Sequence, residues 1–354
     1  MKSINKYFLK SKKIPIDKFI ENVLYDKKYG YYSKKVPFGK NGDFVTSPEI
    51  SFLFSEMLAL WVVSLWEHLN KPKKFNIVEL GPGSGKMNST LIKVFKKFPD
   101  FFNSINIFLY EKSENLKKLQ KKNLFGEKVR WIKDFDNIKS GPVIFLGNEF
   151  FDAIPIKQYK KVNNILYEKY VKLDNKSKIK LFLKKTNSKT IKELKKFNLI
   201  KNQSFIEFPK QGFKELDLIT SAIKRLSGGL LLIDYGLLKQ VSSDTLQSVK
   251  NHKKNILFNN IGNADITSLV NFNLLKTYFK KKTLKRNNVV TQEYFLKKMG
   301  IINRAQILSK KMNFQEKSEI YYRLQRLINP KQMGKLFKVI FAFKLEKKFT
   351  MGFV

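Results

Sequence analysis

Glu79, Gly81, Gly83 and Gly85 stand two residues apart in "IVELGPGSGKMNST", directly after an apolar run and directly before a Lys. Three alternate glycines let a chain turn tightly and bring its backbone close to a ligand with no Cβ in the way. A triphosphate loop is ruled out. Its G-x-x-x-x-G-K-[ST] pattern needs glycine where Leu80 stands and a hydroxyl where Met87 stands. The dinucleotide pattern G-x-G-x-x-G fails as well, because the spacing here is G-x-G-x-G. What remains is an acid at the end of a strand, followed by a glycine loop.

Glu79 at that place repels a pyrophosphate and suits a cationic amino-acid ligand such as S-adenosylmethionine. A second apolar run, "INIFLYE", ends in Glu111. A carboxylate there can accept both hydroxyls of a ribose. A third run, "PVIFLGNEF", leads into Asn148, Glu149 and Asp152. Two carboxylates can hold a guanidinium by bidentate hydrogen bonds and orient one nitrogen. Glu149 and Asp152 are therefore expected to clamp an arginine side chain, one of them accepting its proton. Asn148 is expected to support the acceptor or the methionine end of the cofactor. The plainer alternative is a capped turn, with Asp152 starting a helix and Phe150 and Phe151 in the core.

These residues need elements to position them. From Phe75 onward short apolar runs alternate with Lys-rich amphipathic segments, which predicts β-α-β units and a parallel sheet. Strands are expected at "FNIVEL", "INIFLYE", "KVRWIK", "PVIFLGNEF" and "GGLLLIDYG", with helices at "STLIKVFKKF" and "SENLKKLQKKNL". Asp234 is read as ending the fifth strand, facing the acceptor or making a turn. Between the fourth and fifth strands, "ILYEKYVKL" and "KIKLFLKK" alternate at period two, as strands of an inserted subdomain would. A late strand is expected at "LFKVIFAFKLE". The N-terminal part predicts a helix near Ile16–Leu24, an aromatic turn "KKYGYY", and a Gly-rich loop "PFGKNGDFVTSPEIS". Thr46 with Glu49 forms a capping box that starts a helix running through Trp66. That loop is expected to act as a lid over the cofactor, with Asp43, Thr46, Ser47 and Glu49 facing the site and Gly39 and Gly42 permitting movement.

Composition bounds the chemistry. The chain has 354 residues, 43% hydrophobic, with 32 Phe, so it can bury a sizeable core. It has no Cys and only His68 and His252. Thiolate zinc, iron–sulfur and Cys-nucleophile chemistry are thereby excluded, and no metal site is expected. A net charge of +41 suits nucleic acid, yet only six of the 70 basic residues are Arg. Arg is the preferred fork for bases and phosphates. Lys, Asn, Ile and Phe rise together, as an AT-rich genome produces, so the charge carries little functional weight. No run of 18 apolar residues predicts a membrane span. The N-terminus lacks an apolar signal region, so a cytoplasmic location is expected.

Several segments together resemble a known family, the MidA-like methyltransferases, which include a mitochondrial complex I assembly factor that methylates arginine. They are "YGYY", "GKNGDFVTSPEIS", "VELGPGSG", "NEFFDAIPIKQY", "GGLLLIDYG", "DTLQSVKNH", "GNADITSLVNF" and "QMGKLFKVI", in order from about residue 25 to 340. The resemblance departs at "GPGSGKM", where the family pattern has Arg and Thr in place of Ser84 and Lys86. It implies a class I SAM-methyltransferase fold: a Rossmann-like α/β sheet with helices on both faces. A helical N-terminal segment with lid (1–74), a first core half (75–156), an inserted β-containing subdomain (157–204) and a second core half (205–354) complete it. S-adenosyl-L-methionine is the implied cofactor, held by Glu79, Gly81, Gly83, Gly85, Glu111, Thr46 and Ser47. The implied acceptor is arginine of a protein, with a complex I subunit as one candidate. Two rival expectations are an RNA methyltransferase and an assembly factor that keeps the fold without catalysis.

Overall fold

The computed structural model describes residues 5–8, 13–34, 37, 39, 42–43, 45–176, 178–201, 203–239 and 243–354. After a 3₁₀ turn at Asn5–Phe8 come β1 (Lys13–Pro15), α1 (Ile16–Tyr25), α2 (Tyr31–Lys34), α3 (Ser47–Ile50) and α4 (Phe52–His68). The expected capping box at Thr46 does not form. Thr46 precedes α3 without a side-chain cap, and the chain breaks at Ser51, whose hydroxyl accepts the N–H of Leu53. Glu49 is drawn away from the cap by Ser84 and Lys86. α4 is apolar nearly all round and is buried accordingly, with Trp61 wholly inside.

The first core half follows as β2 (Phe75–Leu80), α5 (Lys86–Phe95), α6 (Pro99–Ser104), β3 (Ile105–Tyr110), α7 (Glu114–Asn123), β4 (Val129–Ile132) and β5 (Val143–Asn148). Next come β6 (Lys157–Val162), β7 (Ile165–Leu173), β8 (Ile179–Lys185), α8 (Ser188–Lys195), β9 (Phe205–Phe208), α9 (Lys210–Leu226) and β10 (Gly228–Leu237). The remainder consists of β11 (Gln247–Lys250), β12 (Lys253–Asn255), β13 (Asp265–Thr267), β14 (Val270–Asn271), α10 (Phe272–Lys281), β15 (Lys285–Arg286), β16 (Val290–Thr291), α11 (Gln292–Lys298), α12 (Ile301–Ser309), α13 (Phe314–Ile328), α14 (Met333–Leu336) and β17 (Phe337–Lys344).

Among the described residues the main sheet has nine strands, ordered β15-β17-β10-β5-β2-β3-β4, with β14 beside β10 and β16 beside β17. β4, β3, β2, β5 and β10 are parallel, and β17 runs antiparallel to β10. Alternate residues of each strand feed opposite cores. Ile77, Leu109, Ile144 and Leu231 pack with α4, α5 and the C-terminal helices, while Val78, Phe108, Phe145 and Leu230 pack with α9 and α10. Helices therefore cover both faces.

β2 is the first core strand in the chain and lies between β3 and β5, so the strand order reverses there. Open α/β sheets bind ligands at the carboxyl ends of strands beside such a reversal. A second, antiparallel sheet has the order β1-β7-β6-β9, with β8 on β7. β6 starts at the expected insertion start, Lys157, and the sheet also takes β1 from the N-terminal segment and β9 from just beyond residue 204. A three-residue strand carries too little pattern to be read in advance. Among the described residues no helix is long and apolar enough to cross a membrane.

Candidate active site

The carboxyl ends of β2, β3 and β5 open into a cavity of about 720 Å³. Gly81, Gly83 and Gly85 all have left-handed backbones, with φ of 62°, 56° and 81°. A Cβ at Gly81 would also sit 3.2 Å from the Phe150 ring. Gly81 and Gly83 line the cavity, whereas Gly85 caps α5 and packs against Leu124 and Gln120 behind it.

Glu79 is 4% exposed and accepts a hydrogen bond from the Asn88 amide. Burial pushes its carboxyl up to about 8, partly offset by Asn88. Glu111, directly after β3, accepts from the Ser113 N–H (2.8 Å) and the Gln120 amide (3.2 Å). It too is raised by burial and held back by these donors.

Gln120 was not foreseen. It is completely buried, donates to the Gly83 carbonyl (2.9 Å) as well as to Glu111, and accepts from Trp131 Nε1 (2.8 Å). One amide thus ties the glycine loop to the acid after β3. Gln120→Leu keeps the bulk and removes all three bonds. It is expected to weaken S-adenosylmethionine binding by about 10–100-fold, from the one to three kcal/mol of each unmet buried group. Calorimetric titration checks this, and unchanged affinity would mean the tie does not set the loop.

At the end of β5, Glu149 adopts a left-handed backbone (φ 50°), an uncommon and strained state for a non-glycine residue. Its N–H donates to the Ile233 carbonyl (2.9 Å). Its Oε1 accepts from the Ser47 N–H (2.9 Å) and the Asn148 amide (3.2 Å). Burial is the main cause that pushes Glu149 up to about 8, and the nearby Asp152 adds to it. Asp152 Oδ2 accepts from the Tyr235 hydroxyl, and burial lifts this acid to about 6. Among the described residues the buried acceptors Asn148 Oδ1 and Asp152 Oδ1 have no hydrogen-bond partner, and neither has Asn88 Oδ1 beside Glu79.

Glu49 accepts from the Ser84 hydroxyl (2.5 Å) and Lys86 Nζ (3.0 Å), the two positions that depart from the family pattern. The α3 segment therefore bridges the glycine loop and Glu149. Thr46 lines the cavity. Ser47 does not face it, contrary to expectation. Its side chain is buried beside Gln292, and only its N–H serves the site.

Of the expected lid, residues 38, 40, 41 and 44 lie outside the described residues. Asp43 is buried away from the cavity, accepting from the Tyr31 hydroxyl (2.5 Å) and the Asn251 N–H (2.8 Å). Asp234 lies inside β10 rather than at its end, is fully buried, and accepts the N–H groups of Phe151, Asp152 and Tyr235. Of its two expected readings the structural one fits: it shapes the turn that carries Asp152 and is not among the residues lining the cavity. His252 lines a separate, open cavity with Arg326 and Tyr322. No cluster of His, Cys, Asp or Glu among the described residues could hold a metal ion.

The raised acids set a pH dependence. Glu79 and Glu149 stand at about 8, above their ordinary value of 4.5. Folding thus favours their protonated forms, a contribution fully present below about pH 4.5 and lost as pH rises through 8. The melting temperature of the ligand-free protein is expected to fall from pH 6 to pH 9. The gain on adding S-adenosylmethionine should grow over the same range, because its cationic end stabilises ionised Glu79. Thermal melts check both, and a gain that shrinks with pH would contradict the placement of that cation near Glu79.

A glycine loop after the first core strand, an acid after the next, and a cavity at the strand reversal define a class I methyltransferase. The chain belongs to the S-adenosyl-L-methionine-dependent methyltransferase family whose model matches residues 57–290. Protein arginine methyltransferase NDUFAF7, mitochondrial, of Xenopus laevis is 29% identical to it, covering 92% of this chain and 80% of that protein. The human protein of that name is 28% identical over 92% and 78%. The Caenorhabditis elegans homolog is 30% identical over 79% and 70%. A crystal structure from Burkholderia thailandensis with bound S-adenosyl-homocysteine superposes with a TM-score of 0.79 at 22% identity, covering 97% of this chain and 89% of that one. The fold is thus shared across nearly the whole chain. The expected cytoplasmic location is overturned, because these animal relatives are named mitochondrial. That expectation rested on absences, and an absence does not identify a compartment.

Proposed function

We propose that this methyltransferase modifies an arginine side chain of a protein, held by Glu149 and Asp152. The carrying observation is how charge is partitioned. Nine acidic residues line the cavity (Glu21, Glu49, Glu79, Glu111, Glu114, Glu149, Asp152, Glu215 and Asp265), against three lysines (Lys27, Lys86 and Lys112), and the buried acids among them ionise more readily once a cation enters. The chain as a whole has 29 acidic and 70 basic residues. A site this acidic in a protein this basic favours a cationic acceptor and opposes a polyphosphate.

S-adenosylmethionine supplies an electrophilic methyl group on a sulfonium. Glu79, Gly81, Gly83 and Glu111 are the residues suited to hold it: backbone approach at the glycines, an acid for the amino-acid end, an acid for the ribose. Asn148 and Asp152 offer two unpartnered acceptors to the N–H groups of a guanidinium. Glu149, with one oxygen fixed by Ser47 and Asn148, has the other to orient the reacting nitrogen. That nitrogen sheds a proton as its new bond forms, and Glu149, raised by burial, is a suitable acceptor for it. The names of the relatives support arginine as the acceptor. A subunit of respiratory complex I is the first candidate target.

The test adds purified protein and methyl-labelled S-adenosylmethionine to an extract of cells lacking the gene, then splits the extract between nuclease and protease. The label is expected to survive nuclease and be lost to protease. The reverse pattern would establish RNA as the acceptor and remove this proposal.

A further inference from the structure

The aromatic turn "KKYGYY" has no role in the clamp or the cofactor loop, yet it contributes Lys27 and Tyr32 to the wall of the same cavity. α1 ends at Tyr25, and the chain reverses over Asp26–Gly30. Asp26 Oδ1 accepts the N–H groups of Lys28 (2.9 Å) and Tyr29 (2.7 Å), and the Gly30 N–H donates to the Asp26 carbonyl (2.9 Å). A Cβ at Gly30 would lie 2.5 Å from that carbonyl oxygen, so the reversal needs glycine. It brings Tyr32 back against Tyr25, with ring centroids 5.3 Å apart and planes 20° from parallel.

The two phenols reach the acidic side of the cavity. Tyr25 donates to the carbonyl of Ala153 (2.9 Å), next to Asp152, and Tyr32 donates to Asp265 Oδ1 (3.2 Å). Asp265 is 2% exposed and pushed up to about 7, first by burial and then by Asp152. Two acids that repel one another across a cavity gain most from a cation between them. Beside them the Tyr25 ring, stacked on the buried Tyr32, lines the cavity and is 37% exposed. Stacking faces next to carboxylates suit a planar, delocalised cation, whereas a compact ammonium gains less from both.

We propose that Tyr25, Tyr32 and Asp265 form a subsite that recognises the planar cation of the acceptor and favours arginine over lysine. This rests on the arginine reading above. Tyr25 and Tyr32 precede the residues matched by the family model, and Asp265 lies within them. All three are positioning and specificity residues, apart from the clamp.

The probes are butylguanidine and butylamine, titrated calorimetrically into full-length protein saturated with S-adenosyl-homocysteine. Wild type is expected to prefer butylguanidine by about tenfold or more, as stacking and bidentate bonds together imply. Tyr25→Ala and Asp265→Asn are each expected to lose most of that preference with S-adenosyl-homocysteine affinity kept, which also reports folding. Tyr32→Phe, which removes one hydroxyl, decides the matter if a larger change disturbs the fold. Should all three variants keep the wild-type preference while Glu149→Gln loses it, the subsite is wrong and the clamp stands. If wild type shows no preference, or binds neither probe, the arginine reading falls with it.

Discussion

Glu149→Gln is expected to lower methyl transfer by roughly 10²–10⁴-fold, the range for losing a positioned acid–base group with its electrostatic contribution. The volume is unchanged, and the amide oxygen can still accept from the Ser47 N–H. What changes is the other end. An amide NH₂ would point donors at a guanidinium that itself carries only donors, and the negative charge would be gone. The acceptor nitrogen would lose its orientation and the acceptor for its proton together. Binding of S-adenosylmethionine should stay within about twofold, since Glu79, the glycine loop and Glu111 are untouched. Single-turnover assays paired with calorimetry separate the two effects. Retained turnover would remove Glu149 from the clamp.

Asp234→Ala carries the second large effect, on stability as well as on rate. Asp234 is fully buried and accepts three backbone N–H groups, from Phe151 (2.8 Å), Asp152 (3.2 Å) and Tyr235 (2.9 Å). Alanine would leave three buried donors unmet, at about 1–3 kcal/mol each. Relief of repulsion offsets part of this, because burial and the neighbouring Asp152 already hold the Asp234 carboxyl well above its ordinary value. A net loss of about 2–4 kcal/mol is expected from these opposing effects. Denaturant unfolding measures it. Activity in the folded fraction should also fall, because the turn that presents Asp152 loses its anchor. A variant as stable and active as wild type would show that the turn holds without this acid.

The parts of this molecule legible in its sequence are those whose chemistry is local. β2, β3, β5 and β10 show as mainly apolar runs because a parallel sheet covered on both faces buries most of each strand, as the wholly buried Phe75–Leu80 illustrates. The acids at the ends of β2 and β3 are legible because a glycine loop fixes their neighbourhood within a few positions. Asp234 was misplaced because the extension of β10 to Leu237 depends on pairing with β14 and β17, which no local pattern announces. Thr46 and Glu49 satisfy a capping pattern, but tertiary partners on the glycine loop win the Glu49 side chain. Gln120 sits on a Lys-rich helix and shows nothing in sequence of its three buried bonds. The wall of Tyr25, Tyr32 and Asp265 joins residues 233 positions apart through the hydroxyl of Tyr32. Its one legible trace was the aromatic turn around Gly30.

Charge illustrates the same division between composition and place. The net +41 invites a nucleic-acid reading, while nine acidic residues line the cavity. Only the fold shows that the bulk charge and the site charge have opposite signs. The site charge is the one an acceptor meets.

The most direct measurement of the central claim is the identity of the labelled residue. Protein from the labelled extract is hydrolysed completely and its amino acids are separated. Label in methylated arginine, lost when Glu149→Gln protein replaces wild type, is the predicted result. Label in methylated lysine, in another amino acid or in nucleosides would contradict it.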